Sequence, residues 1–411
     1  MDIAVLGFGA RGAHYSGIAD YAKVGKVVAV CDIRQERLDL AKEKYGVPNE
    51  NLFTDVDEFF KAGKFADLCI VATQDAQHRE HAIKAMEVGY NLLLEKPIAT
   101  NLEDVMAIYD ASVRLNKKVS VCHVLRYAPF YSVIKEELES GKYGKIVTMD
   151  LKENVGYWHQ AHSFVRGHWR NKEQSSPMII AKCCHDLDLI CWFMDQKCKK
   201  VSSFGSLAYF NKENAPKGHT SHCIGCPEQG KCAYDAEKIY ITDRFDKGQT
   251  YWPVDTVMMN PTREGLIEKL KNGQYGRCVF ECDNNVVDNQ TVNMQFENGA
   301  TAHLTMTAFS SKVYRTIHIH CEKGEIYGTM EDKILHANVY GYESKEININ
   351  EYFQSSYGHG GGDYYIVKNI IDECEGLTAK STTDISKSIE SHKVGFAAEK
   401  SRLENGKVIE L

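Results

Sequence analysis

A two-domain α/β fold is predicted by three features of the chain. Residues 1 to about 122 alternate short apolar runs with helical segments, the signature of a parallel sheet covered by helices. The chain opens strand–turn–helix around Gly7-Phe8-Gly9-Ala10-Arg11-Gly12. From about residue 145 period-two stretches dominate, which places a strand-rich second domain in 123–411. A polar segment containing glycine and cysteine interrupts it near 211–240. At 411 residues the chain is long for one core and suits two.

The first strand is Ile3 to Leu6. In the turn that follows, Gly7 permits a tight bend, Gly9 lets the backbone approach a pyrophosphate, and Gly12 lets the helix pack close to the sheet. Arg11 sits inside this turn, and the helix N-terminus offers N–H groups to phosphates. The second run, Val27 to Val30, ends at Cys31-Asp32, where an acid accepts hydrogen bonds from an adenosine ribose. Asp32 favours NAD by repelling a 2′-phosphate; Arg34 and Arg37 nearby keep NADP open. A third strand, Ala66 to Ala72, leads into Thr73 and a loop with His78, both placed on the cofactor side. In "GYNLLLEKPIAT" the buried run Leu92–Leu94 meets Glu95 and Lys96 and stops at Pro97, which cannot donate to a sheet ladder. Ligands of open α/β sheets bind beyond the carboxyl ends of the strands, so Lys96 is directed at whatever the nicotinamide reacts with.

Composition narrows the class of partner. A formal net charge of −7 argues against a nucleic-acid surface, and no apolar run approaches the roughly 20 residues needed to cross a bilayer. The start, MDIAVLGFG, runs straight into a strand without a basic region, so no secretory signal and a cytoplasmic location are expected. Fourteen cysteines then read as thiols or metal ligands rather than a disulfide framework.

The glycine turn, the acid ending the second strand and Glu95-Lys96-Pro97 together resemble the Gfo/Idh/MocA oxidoreductase family. The stretches "HVLRYAPFYSVIKEELESGKYGKI", His123 to Ile146, and "YGHGGGDYYIVKNII", Tyr357 to Ile371, are similar to segments of that family. The resemblance implies an N-terminal Rossmann domain and a C-terminal α/β domain with a large, mostly antiparallel open sheet that often forms an oligomer interface, hence a homodimer or homotetramer. It implies sugar or polyol substrates, Lys96 as a proton-relay residue, Glu95 orienting it or touching the nicotinamide ribose, a turn at Pro97 that a cis bond would suit, and Arg126 on the substrate side.

Relatives carry an acid four residues before a histidine on one helix. In "SSPMIIAKCCHDLDLICWFMD", Ser175 to Asp195, His185 matches the histidine, but Ala181 stands where the acid should be. Lys182, three residues before His185, is expected on the same helical face, and Asp188, three after, as the group orienting the imidazole. Lys96, Lys182 and His185 would form a cationic cluster that takes an alcohol proton and stabilises the oxyanion. "VGYWHQAHSFVRGHWRN", Val155 to Asn171, supplies Tyr157, His162, Arg166, Trp169 and Arg170 for sugar recognition; His359 is a further candidate, and Asp363 reads as a helix cap. Cys223, Cys226 and Cys232, near His219 and His222, have spacing compatible with structural zinc or with free thiols.

The resulting expectation is an NAD(P)-dependent oxidoreductase acting on a CH–OH group of a sugar or polyol. The alternative is a redox-neutral, NAD-dependent glycosidase that oxidises C3 transiently and eliminates the aglycone.

Overall fold

The computed structural model describes residues 1–352, 358–378 and 381–411; Tyr357, the first residue of the YGHGGGD stretch, lies outside them. The first sheet contains β1 (Asp2–Leu6), β2 (Lys26–Cys31), β3 (Leu52–Phe53), β4 (Leu68–Val71), β5 (Asn91–Leu94) and β6 (Val119–Val121). Their order is β3-β2-β1-β4-β5-β6, and every pair is parallel. Strand order reverses between β1 and β4. The crevice beyond their carboxyl ends is where this topology opens a ligand site, and it is flanked by Gly7, Thr73 and Glu95.

Apolar runs bury both faces. On one side α1 (Ala10–Tyr21) and α2 (Gln35–Tyr45) pack with Ile3, Val5 and Ile70. On the other, α3 (Val56–Lys61), α4 (His78–Val88) and α5 (Leu102–Arg114) pack with Leu92, Leu94 and Val121. The first face is completed by a helix from far along the chain, Gly362–Cys374, through Ile366, Val367, Ile370 and Ile371. Ile385 and Ile389 reach the second face from helix Ile385–Leu403. Packing therefore crosses the expected boundary at 122/123.

The glycine turn is sterically determined. Gly7 has φ +88°, and a Cβ there would lie 2.6 Å from the Ala72 carbonyl oxygen. A Cβ at Gly12 would lie 2.0 Å from the Gly7 carbonyl oxygen. Gly12→Ala must therefore push α1 off β1, at a cost of about 1–3 kcal/mol or more. The expected result is a lower denaturation midpoint together with loss of measurable NAD binding by fluorescence titration.

The second sheet has nine strands: β7 (Ile146–Asn154), β8 (Cys198–Ser206), β9 (Asn289–Phe296), β10 (Thr301–Thr307), β11 (Tyr314–Cys321), β12 (Gly324–Thr329), β13 (Ile334–Val339), β14 (Lys345–Asn348) and β15 (Ile409–Glu410). They run in the order β14-β13-β12-β11-β7-β10-β9-β8-β15, with β7 and β10 the parallel pair and the other pairs antiparallel. Strict alternation, as in β11, buries one face under helices Pro129–Glu139, Cys184–Met194 and Ile385–Leu403 and leaves the other exposed or half-buried.

Between β8 and β9 lies a long insertion with its own core of Phe210, Tyr240, Val254, Leu270 and Phe280, packed on Ala161 and Val165. It is much larger than the 211–240 segment that polarity marks out, because its apolar residues are too irregularly spaced to show a period. Among the described residues no helix is long and apolar enough to cross a membrane.

Candidate active site

At the amino end of α1 the N-cap is Gly9, with no side-chain cap and no acid in the first turn. The first-turn N–H groups thus lack helical partners, and nothing lies within 4 Å of a Cβ built on Gly9. Open space in front of free donors is what a pyrophosphate requires. Asp32 fixes the turn by accepting from Phe8 N at 2.8 Å and Arg34 N at 3.0 Å. Arg34 Nε lies 3.6 Å from the same carboxylate. The residues fit a dinucleotide.

Arg11 does not face that space. Its Nε donates to Glu95 Oε1 at 2.8 Å and its Nη2 to Asp363 Oδ1 at 2.7 Å. Glu95 also accepts from Tyr15 OH at 2.8 Å and from the Lys96 N–H at 2.7 Å. Asp363 further meets His14 Nε2 at 3.1 Å and His359 Nδ1 at 3.0 Å. It is an ion-pair hub tying α1 to the Gly362–Cys374 helix rather than the cap that the sequence suggests. Burial alone would raise both carboxyls, but the Arg11 guanidinium holds them below their ordinary values.

His78 likewise serves the backbone. Its ring nitrogens lie 2.8 Å from Pro97 O and 3.1 Å from Thr73 O, fastening the turn after β5 to the end of β4. The Thr73 hydroxyl meets His81 Nδ1 at 3.0 Å. The Lys96–Pro97 bond is cis.

Lys96 points across the crevice into the second domain. Its Nζ donates to the Ala181 carbonyl at 3.0 Å and lies 5.9 Å from the centroid of the Trp169 ring. That carbonyl is available because the expected helix breaks. Met178–Ala181 and Cys184–Met194 are separate helices, with Lys182 and Cys183 between them. Lys182 and His185 therefore do not share a continuous helical face. Lys182 Nζ instead lies 3.2 Å from Glu153, whose other oxygen is 2.6 Å from Arg315, and Arg315 reaches Asp186 at 2.7 Å. Burial, together with repulsion from Glu153, pushes Asp186 up to about 6 despite Arg315.

His185 is buried, with no partner for Nδ1 among the described residues, and its ring lies 6.0 Å from His123 and 5.7 Å from His359. Burial, then the charge of Lys96, drives its pKa well below that of a free imidazole, so the ring is neutral at neutral pH. Asp188 does not orient it. That carboxylate takes both Arg126 donors, at 2.6 and 2.7 Å, and lies 2.7 Å from His123 Nδ1. Arg126 also donates to Thr382 O and is enclosed behind the site, which corrects its assignment to substrate.

The aromatic stretch divides. Trp169 reaches the site, its indole N–H donating to buried Asp75 at 3.2 Å. Tyr157 packs beside Tyr234 of the insertion. Arg166 is fully buried, donating to Arg277 O and Tyr234 O. Arg170 forks onto Asp283 at 2.9 and 3.2 Å. His162 meets Tyr240 OH at 2.9 Å and stacks on Tyr275. These four hold the insertion in place, because planar polar groups suit a buried aromatic core as well as they suit a sugar.

All fourteen cysteines are free. Among the described residues Cys223, Cys226, Cys232 and the histidines beside them do not bring three ligand atoms within 4.8 Å of one another. The Cys223 thiol instead accepts from Arg166 Nη2 at 3.3 Å. Of the two readings the spacing allows, zinc or free thiols, the structure does not assemble the zinc site.

Three neighbours of the site are not singled out by the sequence analysis. Asp75 follows β4, and a position beyond a strand's carboxyl end is itself a signal. Glu153 faces inward on β7, an acid in the apolar phase of a period-two strand. The buried Nδ1 of His159 has no partner among the described residues; burial and then Lys182 drive its pKa well below normal.

Buried imidazoles make stability pH-dependent. Burial lowers both His162 and His392 to about 3; the His392 ring accepts from Ile98 N at 3.0 Å. Below about pH 6.5 the unfolded chain takes up protons that the folded chain refuses, so stability falls with pH until about pH 3. Each ring contributes roughly 1.4 kcal/mol per pH unit in that window. Urea titrations at about pH 7 and about pH 5 should differ by roughly 4 kcal/mol from these two rings.

The fold and this crevice define a protein that joins a Rossmann-type parallel sheet to a large mixed-sheet α/β region. The chain belongs to the Gfo/Idh/MocA oxidoreductase family. The model described as "Oxidoreductase family, NAD-binding Rossmann fold" matches residues 1–123, and that of its "C-terminal alpha/beta domain" matches residues 135–411. The chain is 28% identical over 219 residues to YteT of Bacillus subtilis (strain 168), covering 51% of this chain and 50% of YteT. It is 27% identical over 202 residues to inositol 2-dehydrogenase 2 of Saccharopolyspora erythraea, covering 48% of this chain and 55% of that one. The chain thus spans about half the length of these curated relatives. The WlbA dehydrogenase from Bordetella pertussis, solved with NADH and UDP-GlcNAcA, has the same fold: TM-score 0.73 at 17% identity, covering 100% of this chain and 97% of that one.

Proposed function

We propose that this protein is an NAD-dependent oxidoreductase that acts on a hydroxyl of a sugar or polyol. One observation carries the reading. Among the described residues the Lys96 ammonium hydrogen-bonds only to a neutral carbonyl, and it stands near a buried neutral imidazole, His185, beyond the carboxyl end of β5. When bound, NAD supplies the hydride acceptor; Gly7, Gly9, Gly12 and Asp32 would hold it. His185 takes the hydroxyl proton, and Lys96 stabilises the charge developing on that oxygen. Trp169, held by Asp75, offers an apolar face to a sugar ring. The inositol 2-dehydrogenase among the relatives supports this substrate class. Asp32 supports NAD over NADP. The uncovered face of the nine-stranded sheet supports a homodimer or homotetramer.

A second reading rests on His159. A further neutral imidazole near Lys182, its Nδ1 without a partner among the described residues, would provide the extra base that redox-neutral glycoside cleavage needs. One assay separates the two: NADH absorbance while protein and NAD meet free sugars, polyols and aryl glycosides. NADH accumulating with a sugar or polyol supports the dehydrogenase. Aglycone release without net NADH supports the glycosidase, and silence across the panel overturns both.

A further inference from the structure

On the exposed face of the second sheet, three side chains converge with the chemistry of metal ligands. His318 and His320 are two apart on β11, so both point to the same face, and His320 is directly opposite Glu325 on β12. His318 Nε2 lies 2.9 Å from Glu325 Oε2, and His320 Nδ1 lies 3.7 Å from that oxygen. The three ligand atoms all fall within 4.8 Å of one another, the one such group among the described residues.

The spacing matches a bound ion. Zinc–nitrogen bonds of about 2.0–2.1 Å place tetrahedral ligands about 3.3 Å apart. The two observed separations bracket that value, so small side-chain rotations suffice. The 3.7 Å contact is too long for a hydrogen bond, so the protein alone leaves the pair of imidazoles sharing one carboxylate oxygen imperfectly satisfied. The other carboxylate oxygen accepts from Asn338 Nδ2 at 3.4 Å, from the residue opposite Glu325 on β13, and the ring of Tyr327 packs 5.0 Å from that of His318. These contacts orient the ligands from behind. In the single chain the three side chains keep roughly a third of their surface exposed, which leaves a coordination position open to water or to a second copy.

We propose that His318, His320 and Glu325 form a site for a divalent transition-metal ion that clamps β11 to β12. Two imidazoles and one carboxylate select zinc, cobalt, nickel or copper over the all-oxygen preference of calcium and magnesium. The site is separate from the catalytic crevice. Arg315, which pairs with Asp186, points to the helix-covered side of β11, whereas His318 and His320 point to the other.

The test titrates the chelator-treated full chain, with NAD present, with Co²⁺ followed by absorbance and with Zn²⁺ followed by calorimetry. One equivalent should saturate each chain, with ligand-field bands of a nitrogen and oxygen donor set. His320→Ala and Glu325→Gln should each weaken binding by about tenfold or more, and the double variant His318→Ala, His320→Ala should abolish it. Cys223→Ser should leave it unchanged. The substituted side chains are partly exposed, so these variants are expected to fold; far-ultraviolet circular dichroism checks this. His318→Gln, which keeps size and polarity, serves should the alanine variants misfold. No saturable binding, binding unaltered in the folded histidine variants, or a sulfur-to-cobalt charge-transfer band lost in Cys223→Ser would each overturn the proposal.

Discussion

Replacing Lys96 with methionine is expected to lower kcat for hydride transfer about a thousandfold while NAD affinity stays within a few fold. Methionine keeps the apolar stem beside Trp169 but removes the charge and the donor to Ala181. The cofactor's phosphates would sit at the α1 turn, which Lys96 does not touch, so binding and chemistry should separate. Steady-state kinetics with the substrate identified by the panel, beside fluorescence titration with NAD, measure the two effects. A kcat within about tenfold of the parent would remove Lys96 from the chemistry. The same substitution also tests His185 indirectly. Lys96 is the largest charge lowering that imidazole's pKa, so its loss should move the acidic limb of the pH–rate profile upward.

Asp188→Ala should be the most destabilising single change in the second domain. The carboxylate is wholly buried and compensates Arg126, which is itself enclosed. Burial alone would raise Asp188, but Arg126 and His123 hold it down at about 2. Removing it strands a buried guanidinium, and breaking such a pair costs about 3–5 kcal/mol. Denaturant titration at neutral pH should show this as a lower midpoint with an unchanged slope. Asp188→Asn, which keeps the shape and some hydrogen bonding, should cost less. A loss below about 1 kcal/mol for the alanine variant would mean that Arg126 finds water or another partner.

Both residues are conspicuous in the amino-acid sequence, yet only Lys96 stands where its local setting suggests, at the end of the crevice. Lys96 is legible because its signal is local. A buried run, two charges and a proline lie within a few positions, and strand polarity alone says which end faces a ligand. The glycine turn and Asp32 are local in the same sense. Helical spacing assigns Asp188 to His185, three residues away. Its actual partner is Arg126, 62 residues upstream. Spacing on one helix cannot reveal a stronger cation arriving from another segment.

The aromatic stretch misleads for a related reason. Tyr157, His162, Arg166 and Arg170 have the composition of a sugar site, but the insertion between β8 and β9 brings Tyr234, Tyr240, Tyr275 and Asp283 against them. Composition cannot tell a polar aromatic group facing a ligand from one facing its own fold. The helix break at Lys182 is also invisible in the sequence, since Ala, Lys and Cys have no strong tendency to break a helix.

The doubly wound sheet, the open glycine turn and the position of Lys96 just beyond the end of a buried strand are legible in the sequence. Each depends on backbone sterics or periodicity within a few residues. Only the tertiary structure decided which charges are paired, and so which remain for chemistry. Arg11 spans 352 residues to Asp363, and Lys96 spans 85 to Ala181. Charge pairing follows distance in space, and burial sets its strength, so the order of residues along the chain does not specify either.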